Sequence, residues 1–136
     1  MTPGEVRALL DELGLACVLY QPFRDLEGMP DPYRYRAFVR IAQKFDVMRE
    51  LGCDRILLCS NCSPYASPDR GRIVADLREL GDLAAGYNIL VGYEALAWGV
   101  HVNDHRVAWK IVKAADRHPA GRARHRPHAR PVQLSR

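Results

Sequence analysis

The chain has 136 residues, of which 48% are hydrophobic and 26% are charged, a composition that is ordinary for one globular domain and excludes a wholly disordered or fibrous chain. The formal net charge of +4 arises at the C-terminus, because residues 117–136 hold six arginines and no acid, whereas residues 1–116 carry a net charge of −2. No apolar run approaches the roughly 18–20 residues of a membrane-spanning helix, and the N-terminus lacks a secretory signal. We therefore expect a cytoplasmic protein.

The first half of the chain alternates between helix and strand signals. Apolar residues recur at helical spacing after Pro3, which predicts a first helix that ends at Gly14. The apolar residues 15–20 are expected to form a strand. Breaker-rich residues 23–32 then form a loop, and residues 33–51 form a long amphipathic helix.

The second half of the chain repeats this alternation. Residues 55–60 and 89–95 are short apolar runs of strand length, and residues 70–86 have helical periodicity. A fourth helix follows a cap at Asn103 or Asp104. Strands that alternate with amphipathic helices predict an α/β protein with a parallel sheet. The nearly all-apolar strands favour a sheet that is covered on both faces.

Polar residues follow each predicted strand at its carboxyl end, where ligands gather in parallel α/β folds. Glu94 ends an apolar strand, and carboxylates at such positions are favoured ligands for hard divalent cations. The alternative is a partly exposed glutamate that caps a helix or pairs with an arginine. Gln21 and Asn61 lie at equivalent strand ends, where they could supply neutral hydrogen bonds to a ligand.

Arg24 follows the first strand and opens the polar loop. Its planar guanidinium could bind a substrate carboxylate or phosphate. The alternative is a surface arginine that is paired with Asp25 or Glu27.

Two spacings are typical of metal or redox sites. Cys59 and Cys62 form a CxxC pair, but Pro64 follows in a loop and no second CxxC is present, so we interpret them as partly buried thiols in a reducing compartment. His101 and His105 have the i, i+4 spacing of helical metal ligands. Because His101 precedes the predicted cap, we expect that spacing to fail, although one of the two could contact a substrate near Glu94.

Residues 117–136 differ in composition from the rest of the chain. They contain three prolines, six arginines and no hydrophobic period, which predicts a disordered basic tail. Binding of nucleic acid is not expected, because the tail lacks interleaved aromatic residues.

The segment GYEALAWGVHVND (92–104) resembles the bacterial 3-dehydroshikimate dehydratases, which belong to the sugar phosphate isomerase/epimerase superfamily and have a xylose isomerase-like barrel. Three further segments resemble the same family in the same order, namely YQPFRDLEG (20–28), KFDVMRELGCD (44–54) and LCSNCSP (58–64). The resemblance implies that residues 1–116 form a partial (β/α)8 TIM barrel of about three βα units.

The resemblance also implies a function. This family dehydrates 3-dehydroshikimate to protocatechuate with a divalent metal such as Mg²⁺ or Mn²⁺. Glu94 would be the first of four metal ligands, and Arg24 would bind the substrate. The motif that supplies a second ligand and the catalytic histidine is absent after residue 119, so no catalytic residue is assigned. We expect this chain alone to hold no metal and to be inactive.

Two alternatives remain for the body of the chain. The intact relative could be a sugar phosphate isomerase or epimerase that acts on a keto sugar. The half-barrel could instead be a non-catalytic module that self-associates through its open sheet edges.

We interpret the tail, residues 117–136, as translated in a shifted reading frame. With suitable codons, reading residues 129–133 one nucleotide out of step gives a sequence that resembles the missing strand end.

Overall fold

The structure is a computed structural model that describes residues 1–116. The predictions of a disordered tail and of a shifted frame concern residues 117–136, which lie outside the described residues. Helices and strands alternate in the described part as α1 (Pro3–Glu12), β1 (Tyr20–Phe23), α2 (Tyr33–Leu51), β2 (Arg55–Cys59), α3 (Arg70–Gly86), β3 (Leu90–Glu94) and α4 (His105–Asp116).

The three strands form one parallel sheet in the order β1-β2-β3, which confirms the predicted α/β class. The prediction for the first strand is wrong in position, because β1 spans Tyr20–Phe23 instead of residues 15–20. Tyr20 pairs with Ile56, the second residue of β2, so the residues before Leu19 have no strand of the sheet beside them.

Local signals in the sequence set the helix ends. The Thr2 hydroxyl accepts a hydrogen bond from the Glu5 amide at 3.2 Å, and the Glu5 carboxylate accepts one from the Thr2 amide at 2.6 Å, which forms a capping box for α1. Gly52 ends α2 with φ +71°, a left-handed conformation that favours glycine. Asp104, and not Asn103, caps α4, because its carboxylate accepts from the Arg106 amide at 2.7 Å.

The helices cover one face of the sheet. Alternate residues of β2, Ile56 and Leu58, are fully buried among helix residues, whereas Leu57 between them is only half-buried and Leu90 of β3 is 64% exposed. The expectation that both faces are covered is therefore not met in residues 1–116. The reason is that crossovers of one handedness place successive helices on the same side of a short sheet. We call the other side the open face; it carries Leu57, Cys59, Leu90, Gly92 and Glu94.

Within residues 1–116, β1 and β3 each have one edge that pairs with no strand. Association of copies through these edges stays a prediction. None of the described helices is both long enough and apolar enough to cross a lipid bilayer.

Candidate functional site

Glu94 lies beside the thiol of Cys59 at the carboxyl end of the sheet, and Arg24 follows β1 at the same end. Cys59 is paired with Glu94 in the sheet register, and its Sγ lies 3.6 Å from Glu94 Oε2. Burial and the Glu94 carboxylate raise the pKa of Cys59, while the Arg24 guanidinium opposes that increase. The structure therefore places a carboxylate and a guanidinium at the same end of the sheet.

In the described part of the chain, Glu94 neither caps a helix nor pairs with an arginine, and Arg24 is not a paired surface arginine. Arg24 is exposed and makes no ion pair there with Asp25 or Glu27, and its carbonyl oxygen accepts from Arg40 Nη2 at 3.3 Å. Glu94 is also exposed, and its carboxylate accepts only from the Cys59 thiol among these residues. Both groups are thus available to a ligand.

A depression of about 520 Å³ adjoins Arg24. Its lining includes Arg40 and Lys44 of α2 together with Phe23 and Asp25. The Arg40 guanidinium lies 5.1 Å from the centre of the Phe23 ring, a cation–π distance. The surroundings of Arg24 are therefore cationic, which suits an anionic group on a ligand.

Gln21 and Asn61 occupy different environments. Gln21 is exposed on β1, and its side chain makes no hydrogen bond to the described residues. Asn61 is only 5% exposed. Its Nδ2 donates to the Glu27 carbonyl at 2.9 Å, and its Oδ1 accepts from the Ser63 amide at 2.8 Å. These bonds give Asn61 a role in holding the loops, and its contact with a substrate stays a prediction.

Glu27 is the residue that sequence reasoning missed. It is 2% exposed, and its Oε1 accepts from the Asn61 amide at 2.7 Å and from the Tyr93 hydroxyl at 2.9 Å. Its Oε2 is buried without a partner among residues 1–116. Burial, assisted by the charge of Asp76, raises the pKa of Glu27 to about 7 despite these hydrogen bonds. The only sequence signal was its place in segment 20–28, which carries the family resemblance.

A buried aspartate on α3 fixes the loop after β1. Asp76 Oδ2 accepts from the Gly28 amide at 2.8 Å, and Asp76 Oδ1 accepts from Arg34 Nε at 2.8 Å. Arg34 also pairs with Glu79. Gly28 has φ +73°, and a Cβ there would lie 3.0 Å from the carbonyl oxygen of Ser67. Only glycine fits this position without strain.

The loop between β3 and α4 is held by the end of β2. Ser60 Oγ accepts from the Leu96 amide at 2.9 Å, and the Ser60 amide donates to the Glu94 carbonyl at 2.8 Å. A Cβ on Gly99 would lie 2.6 Å from Ser60 Oγ, so this close approach also requires glycine. Ser60 thus holds the backbone at Glu94 and at Leu96 by two hydrogen bonds.

The two histidines do not share a helix face. The first residue of α4 is His105, so the prediction that the helical i, i+4 spacing fails at His101 is confirmed. His101 Nε2 lies 2.8 Å from the Ala66 carbonyl oxygen instead. A substrate contact for either histidine stays a prediction.

The donor set around Glu94 does not by itself fit a hard divalent cation. Residues 1–116 contain no group of three or more His, Cys, Asp or Glu side chains placed to hold a metal ion. The neighbouring donor is the Cys59 thiol, a soft ligand, whereas Mg²⁺ and similar cations take about six oxygen ligands. Cys62 Sγ donates to the Ser60 carbonyl at 3.6 Å, and both cysteines are free thiols.

A parallel sheet with helices on one face and polar side chains at its carboxyl end defines a segment of a parallel α/β barrel. The chain belongs to the xylose isomerase-like TIM barrel family, which it matches over residues 2–122. It is 45% identical over 119 residues to a 3-dehydroshikimate dehydratase of Pseudomonas putida, an alignment that covers 88% of this chain and 19% of that protein.

Two solved structures share the fold. A xylose isomerase-like TIM barrel/4-hydroxyphenylpyruvate dioxygenase fusion protein superposes with a TM-score of 0.83 at 44% identity, over 85% of this chain and 19% of that one. The zinc-bound IolI protein superposes with a TM-score of 0.75 at 13% identity, over 86% of this chain and 44% of that one. This chain thus spans about a fifth of the length of the relatives that it matches at 44–45% identity.

Proposed function

We propose that this chain supplies part of the active site of a divalent-metal-dependent dehydratase that acts on 3-dehydroshikimate. The observation that carries the proposal is that Glu94 and Arg24 lie at the carboxyl end of one parallel sheet, with Glu94 beside Cys59. Its support is the 45% identity to a 3-dehydroshikimate dehydratase. We also propose a reducing, cytoplasmic location, which suits the four free thiols.

Each residue has a distinct proposed role. Arg24 binds the substrate carboxylate through its guanidinium, in cationic surroundings that favour an anion. Gln21 adds a neutral hydrogen bond from the same strand. Glu94 is one oxygen ligand of a Mg²⁺ or Mn²⁺ ion whose other ligands come from residues other than those described. No reaction step is assigned to residues 1–116, because a single carboxylate does not hold such an ion.

The 136-residue chain by itself is expected to show no dehydration of 3-dehydroshikimate. The described residues contribute one candidate ligand and contain no group of three or more side chains placed to hold a metal ion. The measurement is the formation of protocatechuate by the purified chain in the presence of Mn²⁺ and, separately, Mg²⁺. Turnover that survives repurification would show that residues 1–136 contain a complete site.

A chimera tests the proposed roles directly. Residues 2–116 of this chain replace the matched segment of the Pseudomonas putida enzyme. We expect an active chimera, in which Glu94→Gln lowers kcat/KM by about 10²–10³-fold, the range typical for loss of one electrostatic contact to the reacting group. Arg24→Ala is expected to act mainly on KM, because uniform binding of the substrate is lost.

Asp82→Asn provides the matched control, since Asp82 is an exposed carboxylate of α3 that forms no ion pair with the described residues. Its kcat/KM should equal that of the unsubstituted chimera. A folded chimera that is inactive, or one in which Glu94→Gln and Asp82→Asn behave alike, would contradict the proposal.

A sugar phosphate isomerase or epimerase is the second candidate. The observation that favours it is the depression beside Arg24, where Arg40 and Lys44 lack an ion pair within residues 1–116 and a phosphate could bind. The same chimera distinguishes the two candidates when it is assayed on a phosphorylated keto sugar as well as on 3-dehydroshikimate. Turnover of the sugar alone would favour this second function.

A further inference from the structure

Glu27 connects the carboxyl ends of all three strands. It lies in the loop after β1, and its Oε1 accepts from the backbone amide of Asn61, just after β2, at 2.7 Å. The same oxygen accepts from the hydroxyl of Tyr93, the residue before Glu94 in β3, at 2.9 Å. The Glu27 carbonyl accepts a further bond from Asn61 Nδ2 at 2.9 Å.

These bonds act on the strand that carries Glu94. Tyr93 is half-buried towards the helices, so its hydroxyl anchors β3 from the side opposite to the Glu94 carboxylate. On the neighbouring strand, the Ser60 amide donates to the Glu94 carbonyl at 2.8 Å. The backbone of Glu94 is therefore held both by its own hydrogen bond to β2 and by the side chain that precedes it.

We propose that Glu27 is a positioning residue of the candidate site, which holds the end of β3, and with it Glu94, against the end of β2. The significance of this role for catalysis rests on the proposed function. The hydrogen bonds of Glu27 are independent of that function. Glu27 is 2% exposed and therefore cannot itself contact a substrate at the open face.

Amide hydrogen exchange of the full chain, measured by NMR, tests the proposal without an activity assay. The reporters are the Ser60 amide, which donates to Glu94, and the Leu96 amide, which donates to Ser60 Oγ. We expect Tyr93→Phe and Glu27→Ala each to accelerate exchange at both reporters by about 10- to 100-fold, because a hydrogen bond to a buried carboxyl is lost. The double variant should exchange no faster than the faster single variant, since Glu27→Ala already removes the bond that Tyr93→Phe removes.

Rescue by a conservative replacement separates positioning from general packing. Glu27→Gln keeps an acceptor oxygen and should restore exchange at both reporters to within about threefold of the unsubstituted chain. Tyr87→Phe is the matched control, because Tyr87 is half-buried and its hydroxyl makes no hydrogen bond to residues 1–116. It should leave both reporters unchanged.

Three results would overturn the proposal: unchanged reporters in Tyr93→Phe, additive effects in the double variant, or exchange in Glu27→Gln as fast as in Glu27→Ala. Tyr93→Phe removes a single oxygen atom, so it keeps the test decisive if Glu27→Ala fails to fold. An inactive chimera combined with the expected exchange pattern would contradict the proposed function and leave the positioning role intact.

Discussion

Replacing Asp76 with alanine is expected to lower the free energy of unfolding by about 3 kcal/mol, the order measured when one member of a buried ion pair is removed. Asp76 is 2% exposed and accepts from both the Gly28 amide and Arg34 Nε at 2.8 Å. The alanine variant leaves the Gly28 N–H buried without an acceptor and removes one of the two carboxylates that pair with Arg34. The measurement is urea denaturation followed by circular dichroism.

Two further variants serve as controls for the stability loss in Asp76→Ala. Asp76→Asn keeps one acceptor oxygen and should lose about half as much stability as the alanine variant. Asp82→Ala removes an exposed carboxylate from the same helix and should change stability by less than about 0.5 kcal/mol. Equal midpoints for Asp76→Ala and Asp82→Ala, with unchanged slopes, would show that the buried pair does not hold the loop after β1.

Raising the pH from about 4.5 to 8 is expected to lower the free energy of unfolding by about 3 kcal/mol through Glu27 alone. Burial raises its pKa from 4.5 to about 7, so the folded chain keeps a proton that the unfolded chain releases. The contribution to stability is fully present below pH 4.5 and is lost as the pH rises through 7. Denaturation midpoints measured across this range test the expectation.

Glu27→Gln isolates this contribution, because glutamine resembles the protonated carboxyl and does not titrate. The difference in stability between the unsubstituted chain and Glu27→Gln should therefore change with pH by about 3 kcal/mol, in favour of the glutamine variant at high pH. Glu50→Gln, on the exposed end of α2, should show no such change. A difference that is constant between pH 4.5 and 8 would mean that folding does not raise the pKa of Glu27.

The order of helices and strands could be predicted from the sequence, because local signals produce it. Gly14 and Gly52 adopt positive φ values where the periodic patterns stop, and α2 and α3 have the predicted bounds. The start of β1 could not be predicted, since residues 15–19 are as apolar as a strand. Whether they form a strand depends on a neighbouring strand, and Tyr20 already pairs with Ile56, the second residue of β2.

The residues of the candidate site could likewise be predicted only in part from the sequence. Position at a strand end is a local property, and it selected Glu94, which ends β3, and Arg24, which follows β1, whose roles in a site stay predictions. The same rule selected Asn61, whose amide group is instead bonded to Glu27 and Ser63. A strand-end residue can turn towards the ligand side or into the loops, and the sequence does not distinguish these orientations.

By itself, the sequence determined the α/β class and the parallel sheet, because helical and strand periodicity are local features of the chain. Only the tertiary structure decided that Glu27 is buried and that it joins the three strand ends. Its partners Asn61 and Tyr93 lie 34 and 66 residues away along the chain. A carboxylate in a polar loop carries no sign of such contacts until folding brings its partners within hydrogen-bond distance.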